Sequence, residues 1–578
     1  MRPSAAPIVI APWPVPVASA LRRVLAKGYG AKDFMADALA GVVVGIVALP
    51  LSMALAIAVG VAPEHGLYTA IIAGTIVALL GGSKFQVTGP TAAFVVILAP
   101  VATRFGIEGL LTAGVLAGLL LIAMGLARIG NLIEFIPYPV TTGFTSGIAT
   151  VIATLQIKDA LGLETAKLPE HFVEKVSALW AARGTAHGAD CLAFAATFAL
   201  LLGLPRVLKS FPAPLVAISL VAVAATLAPR FVPGFSVATI GTRFHAVVAG
   251  KVVAGIPGAL PPFGVPWGAR GLSFSDVREL TSAAFAIAML GAIESLLSAV
   301  VADGMTNTKH DPNAELVALG VGNVVAPFFG GIAATGALAR TATNIRAGAR
   351  SPFAAVIHSA VVLLAILAFA PLVAFIPMAS LAALLVLVAW NMSEARNFVG
   401  IARVAPKSDV LVLVTCYLLT VFFDMVLAVS IGFVLAALLF MRRMAEITES
   451  HVTLDTKDED GEPIPVPEGV LLYEINGPLF FGAAQRAMSA LANRRDASRV
   501  VVLHLGGVPT IDVTGLVALE NAIGAVVRQK KSVVIAGPLP KPRAIFDKAN
   551  LKERFPGLVV TDGLEVALET AKKLADNR

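Results

Sequence analysis

The stretch QVTGPTAAFVVI, residues 86–97, places a Gly-Pro pair and two threonines where a membrane helix would continue with Leu, Val and Ile. The later stretch AATGALARTATNI, residues 333–345, repeats the Thr-Gly step and adds an arginine. A helix that begins inside a membrane exposes about four unpaired backbone N–H groups and the positive end of its dipole. Two such N-termini facing each other form an anion site, so the stretches predict a membrane-embedded site for a negatively charged ligand.

The composition around these stretches is that of a membrane protein. Hydrophobic residues make up 57% of the 578 residues and charged residues 14%, and the mean hydropathy is +0.84. This composition excludes an ordinary soluble globular protein. Lysines and arginines on the cytoplasmic side account for the net charge of +7, so we expect no nucleic-acid partner. Cys191 and Cys416 lie in apolar runs and indicate neither a disulfide framework nor a redox role.

Fourteen apolar segments divide the membrane region, seven in each half. Their predicted limits are 37–59, 66–81, 89–103, 109–128, 138–157, 190–205, 212–230, 281–302, 313–329, 336–346, 354–375, 379–392, 408–424 and 426–442. The third and tenth are too short to span a hydrocarbon core of about 30 Å. Because each half holds an odd number of segments, the second half is inverted relative to the first. Matching short segments in inverted repeats are typical of a transporter's binding site.

Composition also divides the chain into parts. Residues 1–34 form a basic N-terminal segment, 35–444 the transmembrane domain, 445–468 an acidic linker and 469–578 a polar C-terminal domain. Short loops rich in Lys and Arg alternate with loops of little positive charge, which places the N-terminus and the C-terminal domain in the cytoplasm. We expect no cleaved signal peptide and a multi-pass protein of the inner membrane.

The two short segments supply the candidate anion-binding residues. Gly89 and Gly336 allow the backbone to approach closely, Pro90 suits a first helical turn, and Thr91 offers a hydroxyl. Arg340 lies one turn into the second short helix, where a guanidinium reaches an oxyanion with two hydrogen bonds. A structural partnership with a nearby carboxylate is the alternative for this arginine. The predicted site comprises Gly89, Thr91, Ala92, Gly336, Ala337, Leu338, Ala339 and Arg340.

The first segment of the second half carries a carboxylate near its middle. This residue is Glu294, and Ser298 follows one turn later on the same face. Three roles stay open for Glu294: a proton carrier, part of a sodium site with Ser298, or the structural partner of Arg340. The predicted coupling ion is therefore H⁺ or Na⁺, and we expect no other cofactor.

The C-terminal domain alternates strands with amphipathic helices and predicts a small α/β fold with a mainly parallel sheet. Its loop IDVTG, residues 511–515, places Asp512 and Thr514 at a strand-to-helix turn, a candidate nucleotide or phosphorylation site. The tail contains no GxxxxGK[ST] motif, which argues against a P-loop nucleotidase.

Several motifs occur together in a fixed order along the chain. They are PEHGLYTA, FQVTGPTAAF, YPVTTGFTSGIA, ADGMTNTKHDPNAELVALGVGNVVAPFFGGIAATGALARTATNIRAGARSP, and the tail's GPLFFGAA and IDVTG. Through them the chain resembles the SulP family of anion transporters over about residues 30–575, and its tail resembles a STAS domain. The resemblance implies a core domain of segments 1–4 and 8–11, a gate domain of the others, and an anion held between half-helices 3 and 10. It also implies elevator-like movement of the core and a homodimer.

The resemblance assigns roles to individual residues. Arg340 matches the family's half-helix arginine, and Glu294 with Ser298 matches the acidic and hydroxyl pair that helps hold sodium in symporting relatives. Related anti-sigma antagonists carry a phosphorylatable hydroxyl after their Asp, but Val513 occupies that place here and only Thr514 remains. This departure argues against phosphorylation of the tail.

The leading functional prediction is a secondary transporter of small anions, and not an enzyme. Sulfate is the default substrate, bicarbonate and C4-dicarboxylates are alternatives, and coupling is to H⁺, to Na⁺ or by exchange. A nucleobase–proton symporter, an anion channel or voltage-responsive motor, and a signalling protein with the tail as output are the competing classes. The expected partners are the anion, the lipid bilayer, a second copy of the chain and a cytoplasmic partner of the STAS domain.

Overall fold

The computed structural model describes residues 17–133, 137–165, 169, 171–207, 212–248, 250–268, 271, 273–423, 425–447, 449–453, 455–457, 463–492 and 497–576. Two compact units make up the chain, the first ending at Phe433 and the second beginning at Val434.

The first unit is helical. Its helices are α1 (Ser19–Lys27), α2 (Ala31–Val59), α3 (Pro63–Leu80), α4 (Ala92–Leu126), α5 (Gly130–Ile133), α6 (Tyr138–Ala160), α7 (Phe172–Ala181), α8 (Gly188–Val207), α9 (Ala213–Leu227), α10 (Ile240–Arg243), α11 (Phe274–Thr306), α12 (Pro312–Val325), α13 (Leu338–Arg346), α14 (Phe353–Val373), α15 (Met378–Met392), α16 (Ala395–Val404), α17 (Lys407–Phe422) and α18 (Met425–Ile447), the last of which crosses the division. Short 3₁₀ helices lie at Ala182–Thr185, Ala228–Arg230 and Ala326–Phe329. The strands are β1 (Thr88–Gly89), β2 (His245–Val248), β3 (Lys251–Ala254) and β4 (Thr335–Gly336).

All fourteen predicted membrane segments correspond to helices. Within the described residues, nine helices are long and apolar enough to cross a membrane. The third and fourth segments lie end to end in α4 and are divided at Gly106, whose φ of 68° and ψ of −170° are not helical. We call residues 92–105 half-helix 3, and we call α13, which has nine residues, half-helix 10. The predicted fold class, a polytopic α-helical membrane protein with a small α/β domain, is confirmed.

Helices from the two halves of the membrane region pack on each other in two groups. In one group α4 packs on α11 and α12, and α14 packs on α2 and α3. In the other, α6 packs on α15 and α17, and α15 packs on α8. These groups agree with the core and gate domains that the resemblance implies, because segments 1–4 pack with 8–11 and segments 5–6 pack with 12–13.

The second unit is an α/β domain. Its strands are β5 (Glu449–Thr453), β6 (Asp455–Lys457), β7 (Pro463–Pro465), β8 (Val470–Asn476), β9 (Val500–Gly507), β10 (Ser532–Ala536) and β11 (Val559–Thr561), and its helices are α19 (Phe481–Ala492), α20 (Val513–Arg528), α21 (Pro540–Lys548), α22 (Leu551–Arg554) and α23 (Leu564–Asp576). The sheet has the order β11-β10-β9-β8-β5. Strands β8 to β11 pair in parallel, as the sequence predicts. One sheet face packs on α19, α20 and α21, and the other on α23.

The edge strand β5 comes from the predicted linker 445–468. It pairs antiparallel to β8, with Val452 opposite Tyr473. The hairpin of β6 and β7 lies in the same stretch. Many residues of this stretch are acidic or proline, which is typical of a linker. The short strand-forming sequence ESHVT within it was therefore not predicted as a strand.

Candidate anion-binding site

The two half-helices begin on either side of a short antiparallel crossing. β1 pairs with β4 so that Thr88 lies opposite Gly336 and Gly89 opposite Thr335. The crossing is extended by a hydrogen bond of 2.9 Å from the N–H of Ala337 to the carbonyl oxygen of Val87. The predicted head-to-head arrangement of two interrupted segments is therefore present. Backbone N–H and C=O groups of the two interruptions are hydrogen-bonded to each other.

Both half-helices have N-termini without side-chain caps. Thr91 precedes half-helix 3 and Ala337 precedes half-helix 10, each with extended backbone, and neither side chain accepts a hydrogen bond from its helix. A helix without a cap leaves its first-turn N–H groups for another acceptor. The amide groups at 92–94 and 338–340 are thus available to an anion, as the Thr-Gly pattern predicts.

A cavity of about 300 Å³ lies at these N-termini. Seven of the predicted anion-site residues line it: Thr91, Ala92, Gly336, Ala337, Leu338, Ala339 and Arg340. Gly89 does not line the cavity but lies behind it. A Cβ atom on Gly89 would lie 2.5 Å from Nη1 of Arg340, so a larger residue there would displace the guanidinium.

Arg340 is 2% exposed and lies across the start of the opposite half-helix. Its Nη2 donates to the carbonyl oxygen of Pro90, whereas Nε and Nη1 have no hydrogen-bond partner in the described protein. A buried guanidinium with unpaired N–H groups is costly unless a ligand accepts from them. The geometry thus supports the anion-facing role of this arginine over the structural alternative.

Glu294 lines the same cavity and is half-buried. Its Oε2 accepts a hydrogen bond of 2.9 Å from Oγ1 of Thr91, which joins α11 to the start of half-helix 3. Its carboxylate is bonded to this hydroxyl, while the guanidinium of Arg340 turns to a backbone carbonyl instead. A direct Glu294–Arg340 pair, one of the three predicted roles, is therefore not the arrangement found.

Ser298 lies apart from the cavity, contrary to the predicted pairing with Glu294. Its buried hydroxyl donates to Oγ1 of Thr341 at 3.2 Å, against half-helix 10. Successive turns of α11 meet different neighbours, so two residues on one helical face reach different environments. The side-chain oxygens that stand beside each other at the cavity are those of Glu294 and Thr91, and these are the candidate ligands for a coupling Na⁺.

The loop before half-helix 3 is held by residues that the sequence did not single out. Glu315 on α12 is 1% exposed, and its Oε2 accepts from the N–H groups of Gly82 and Ser83 at 2.8 and 2.9 Å. Its Oε1 accepts from Nε2 of Gln86 at 2.8 Å. The sequence shows only that Glu315 is an acidic residue in an apolar segment, and an acidic residue near a helix end gives the same pattern. These bonds position the backbone that leads into the site.

Half-helix 10 also forms hydrogen bonds to the loop before half-helix 3. Oγ1 of Thr341 accepts from the N–H of Val87 at 3.0 Å, and Nδ2 of Asn344 donates to the carbonyl oxygen of Phe85 at 2.9 Å. Each half of the chain thus supplies the contacts that hold the half-helix of the other. The position of one N-terminus therefore depends on the other.

An equivalent set of contacts holds the loop before half-helix 10. Asn323 on α12 exchanges two hydrogen bonds with the backbone of Ala334, at 2.7 and 2.9 Å. The hydroxyl of Ser295 accepts from the N–H of Gly336 at 2.8 Å. Both approaches to the cavity are therefore built on buried side-chain-to-backbone bonds, which make the site rigid.

The gate group closes the opposite wall of the cavity. Phe144 and Thr145 of α6 and Val388, Asn391 and Met392 of α15 face the half-helices there. These five residues carry no formal charge, but Glu394, which precedes α16, also lines the cavity. The charged side chains at the half-helix wall, Arg340 and Glu294, come from the core group.

In the second unit, Asp512 and Thr514 lie at the start of α20. Oδ1 of Asp512 accepts from the N–H of Gly515 at 2.6 Å, so this carboxylate caps the helix. Thr514 is exposed, and Val513 before it is 77% exposed. The aspartate therefore has a structural use, and the predicted nucleotide or phosphorylation role stays a prediction.

The chain has matches among known families across both units. Residues 34–416 match the sulfate permease family and residues 463–566 match the STAS domain. The chain belongs to the sulfate permease family. A member of this family is a membrane transporter and not an enzyme, as the sequence predicts.

Relatives of this sulfate permease family member carry names of anion transporters. The chain is 40% identical over 529 residues to the "Putative sulfate transporter YvdB" of Bacillus subtilis, covering 91% of this chain and 95% of that one. It is 29% identical over 561 residues to the bicarbonate transporter BicA of a Picosynechococcus species, covering 93% and 95%. Transport of anions is thus common to these relatives.

Two solved structures resemble this sulfate permease family member. The transmembrane domain of a cyanobacterial bicarbonate transporter, BicA, has a TM-score of 0.59 and 28% identity, covering 71% of this chain and 98% of that one. The murine anion transporter Slc26a9 in its inward-facing state has a TM-score of 0.83 over 96% of this chain and 94% of that one. Its sequence identity of 16% limits this second likeness to the fold.

Proposed function

We propose that the protein is a secondary active transporter that binds a small oxyanion, with sulfate as the default substrate, between half-helices 3 and 10. The observation that carries the proposal is the buried guanidinium of Arg340, whose Nε and Nη1 are unpaired beside two uncapped helix N-termini. Five N–H groups on a planar fork and the converging amides suit an oxyanion with several acceptor atoms. A neutral solute would leave the unpaired N–H groups of Arg340 without a charged acceptor.

The same cavity supports coupling to a cation. An anion that binds beside Arg340 also lies near the carboxylate of Glu294, because both side chains line one cavity of about 300 Å³. Two negative groups in one cavity repel each other unless a proton neutralises one of them or a cation binds between them. We propose that H⁺ on Glu294, or Na⁺ held by the oxygens of Glu294 and Thr91, accompanies the anion. Exchange of one anion for another is the alternative.

The packing of the helices supports an elevator-like mechanism. The half-helices and Glu294 belong to one packed group, and the wall formed by Phe144 and Val388 belongs to the other. We propose that the first group carries the anion past the second, so that the site opens in turn to each side of the membrane.

Bicarbonate transport with Na⁺ is the second candidate, and a C4-dicarboxylate with H⁺ is the third. The relative at 40% identity is named for sulfate, and those at 29% identity are named for bicarbonate, which favours sulfate first. We further propose an inner-membrane location with a cytoplasmic N-terminus and STAS domain, and a homodimer. The alternation of basic short loops with short loops of little positive charge supports this orientation.

Uptake by purified protein in liposomes tests these proposals. Labelled sulfate, bicarbonate and succinate are offered separately, each with an imposed pH gradient, an imposed Na⁺ gradient, or neither. We expect saturable sulfate uptake that one of the two gradients accelerates. Uptake of bicarbonate or succinate alone would replace sulfate as the substrate, and flux that never saturates would identify a channel.

A further inference from the structure

Three basic side chains gather where α1 meets the loop before half-helix 3. Arg23 and Lys27 belong to α1, and Lys84 belongs to the loop. Lys84 is half-buried, and its burial, followed by the charges of Lys27 and Arg23, lowers the pKa of its ammonium group. The N–H of Ala18, just before α1, donates to the carbonyl oxygen of Leu80 at 2.5 Å, which places α1 beside the loop that carries Lys84.

Among the described residues, no carboxylate forms an ion pair with Arg23, Lys27 or Lys84. Arg23 donates from Nη1 to the carbonyl oxygen of Lys309 and from Nη2 to that of Gly82, both at 2.8 Å, and these carbonyls carry no net charge. In the described part of the chain, Lys27 and Lys84 form neither a hydrogen bond nor an ion pair. The nearby carboxylate of Glu315 accepts from Gly82, Ser83 and Gln86 and bonds to none of the three cations, so the cluster favours binding of an external anion.

The cluster also lies at the end of the membrane helices. α1 ends at Lys27, and the first long apolar helix, α2, begins at Ala31. The N–H of Ala20 donates to the carbonyl oxygen of Gly81 at 3.3 Å, which holds α1 against the end of α3. Leu25 on α1 is 55% exposed, next to the basic residues. A short helix with an exposed apolar side chain and basic residues fits the membrane–water interface.

We propose that Lys27 and Lys84 bind the phosphate group of an anionic membrane phospholipid, with Leu25 lying against its acyl chains. Arg23 keeps α1 beside the loop, so that lysines distant in sequence form one site. Basic residues next to a membrane helix attract anionic lipids, and each contributes about a fivefold gain in binding. The site is separate from the cavity at the half-helices and does not depend on the proposed substrate.

Binding of short-chain lipids to the purified full-length protein tests the proposal. Dihexanoyl phosphatidylglycerol, dihexanoyl phosphatidylcholine and inorganic phosphate are each titrated, and the dissociation constants are measured. The double variant Lys27→Gln/Lys84→Gln is compared with Arg403→Gln/Lys407→Gln, which removes the same charge from exposed positions on α16 and α17. We expect phosphatidylglycerol to bind about 30-fold more weakly to the first variant and unchanged to the second.

Three results would overturn the proposal. The first is an unchanged affinity of Lys27→Gln/Lys84→Gln for phosphatidylglycerol, and the second is an equal loss of that affinity in both double variants. The third is inorganic phosphate binding as tightly as phosphatidylglycerol to the native protein, with this phosphate binding lost only in Lys27→Gln/Lys84→Gln. The last result would assign the cluster to a soluble anion. Because Lys27 is exposed, the single variant Lys27→Gln serves if the double variant does not fold, with an expected loss of about fivefold.

Discussion

Thr91, at the start of half-helix 3, donates its hydroxyl to the carboxylate of Glu294 across 2.9 Å. This bond joins the first half of the chain to the second at the wall of the cavity that also contains Arg340. A hydroxyl, a carboxylate and a guanidinium thus share one cavity, and each is open to a separate test.

Replacing Arg340 should weaken anion transport strongly. Arg340→Ala removes a buried cation whose hydrogen bonds to a charged ligand are each worth about 1.5–3 kcal/mol, so we expect kcat/KM for sulfate uptake to fall about 10- to 100-fold. The matched control is Arg346→Ala, an exposed arginine at the end of the same half-helix, which should transport normally. Equal and small effects of both substitutions would remove Arg340 from the site.

Replacing Glu294 should uncouple transport from its cation. Glu294→Gln keeps the size of the side chain and an acceptor for Thr91 but carries neither a titratable proton nor a negative charge. We expect uptake that no longer responds to the proposed driving gradient of H⁺ or Na⁺. Glu279→Gln, an exposed carboxylate on the same helix, is the control. A gradient response that survives in Glu294→Gln would assign this carboxylate to structure alone.

A methyl group at Gly89 should displace the guanidinium. The Cβ atom would lie 2.5 Å from Nη1 of Arg340, a contact that forces the side chain to move. Overpacking of this kind costs about 1–3 kcal/mol, so we expect about a tenfold rise in KM for Gly89→Ala. Gly304→Ala, where nothing lies within 4 Å, should leave uptake unchanged. A normal KM in Gly89→Ala would show that the guanidinium position does not matter.

Glu315→Gln should destabilise the protein and disturb the site indirectly. The carboxylate accepts from Gly82, Ser83 and Gln86, and an amide in its place turns an N–H₂ group toward at least one donor. We expect a loss of about 1–3 kcal/mol of stability, measured as a lower midpoint of thermal unfolding. Glu108→Gln, at an exposed carboxylate on α4, should leave the midpoint unchanged, and a similar midpoint in both would contradict the assigned role.

Local patterns in the sequence were sufficient for the membrane helices and for the interruptions. Apolar runs of spanning length identify helices in any context, because the bilayer solvates only helices and closed barrels. The Thr-Gly steps before Pro90 and Ala337 break those runs, so the two half-helices and Arg340 could be predicted. The parallel sheet of the tail followed from its alternating strands and helices in the same way.

The tertiary structure alone decided which side chains meet. Glu294 and Ser298 are one turn apart on α11, yet one bonds to Thr91 at the cavity and the other to Thr341 in half-helix 10. The clamp formed by Glu315 joins residues far apart in the chain, and no local pattern relates them. Helical periodicity gives the direction of a side chain, whereas the partner in that direction depends on how the two halves pack. For this protein the sequence therefore determined the helices and the two interruptions that predict an anion site, and the packing of its halves determined which atoms line the candidate site.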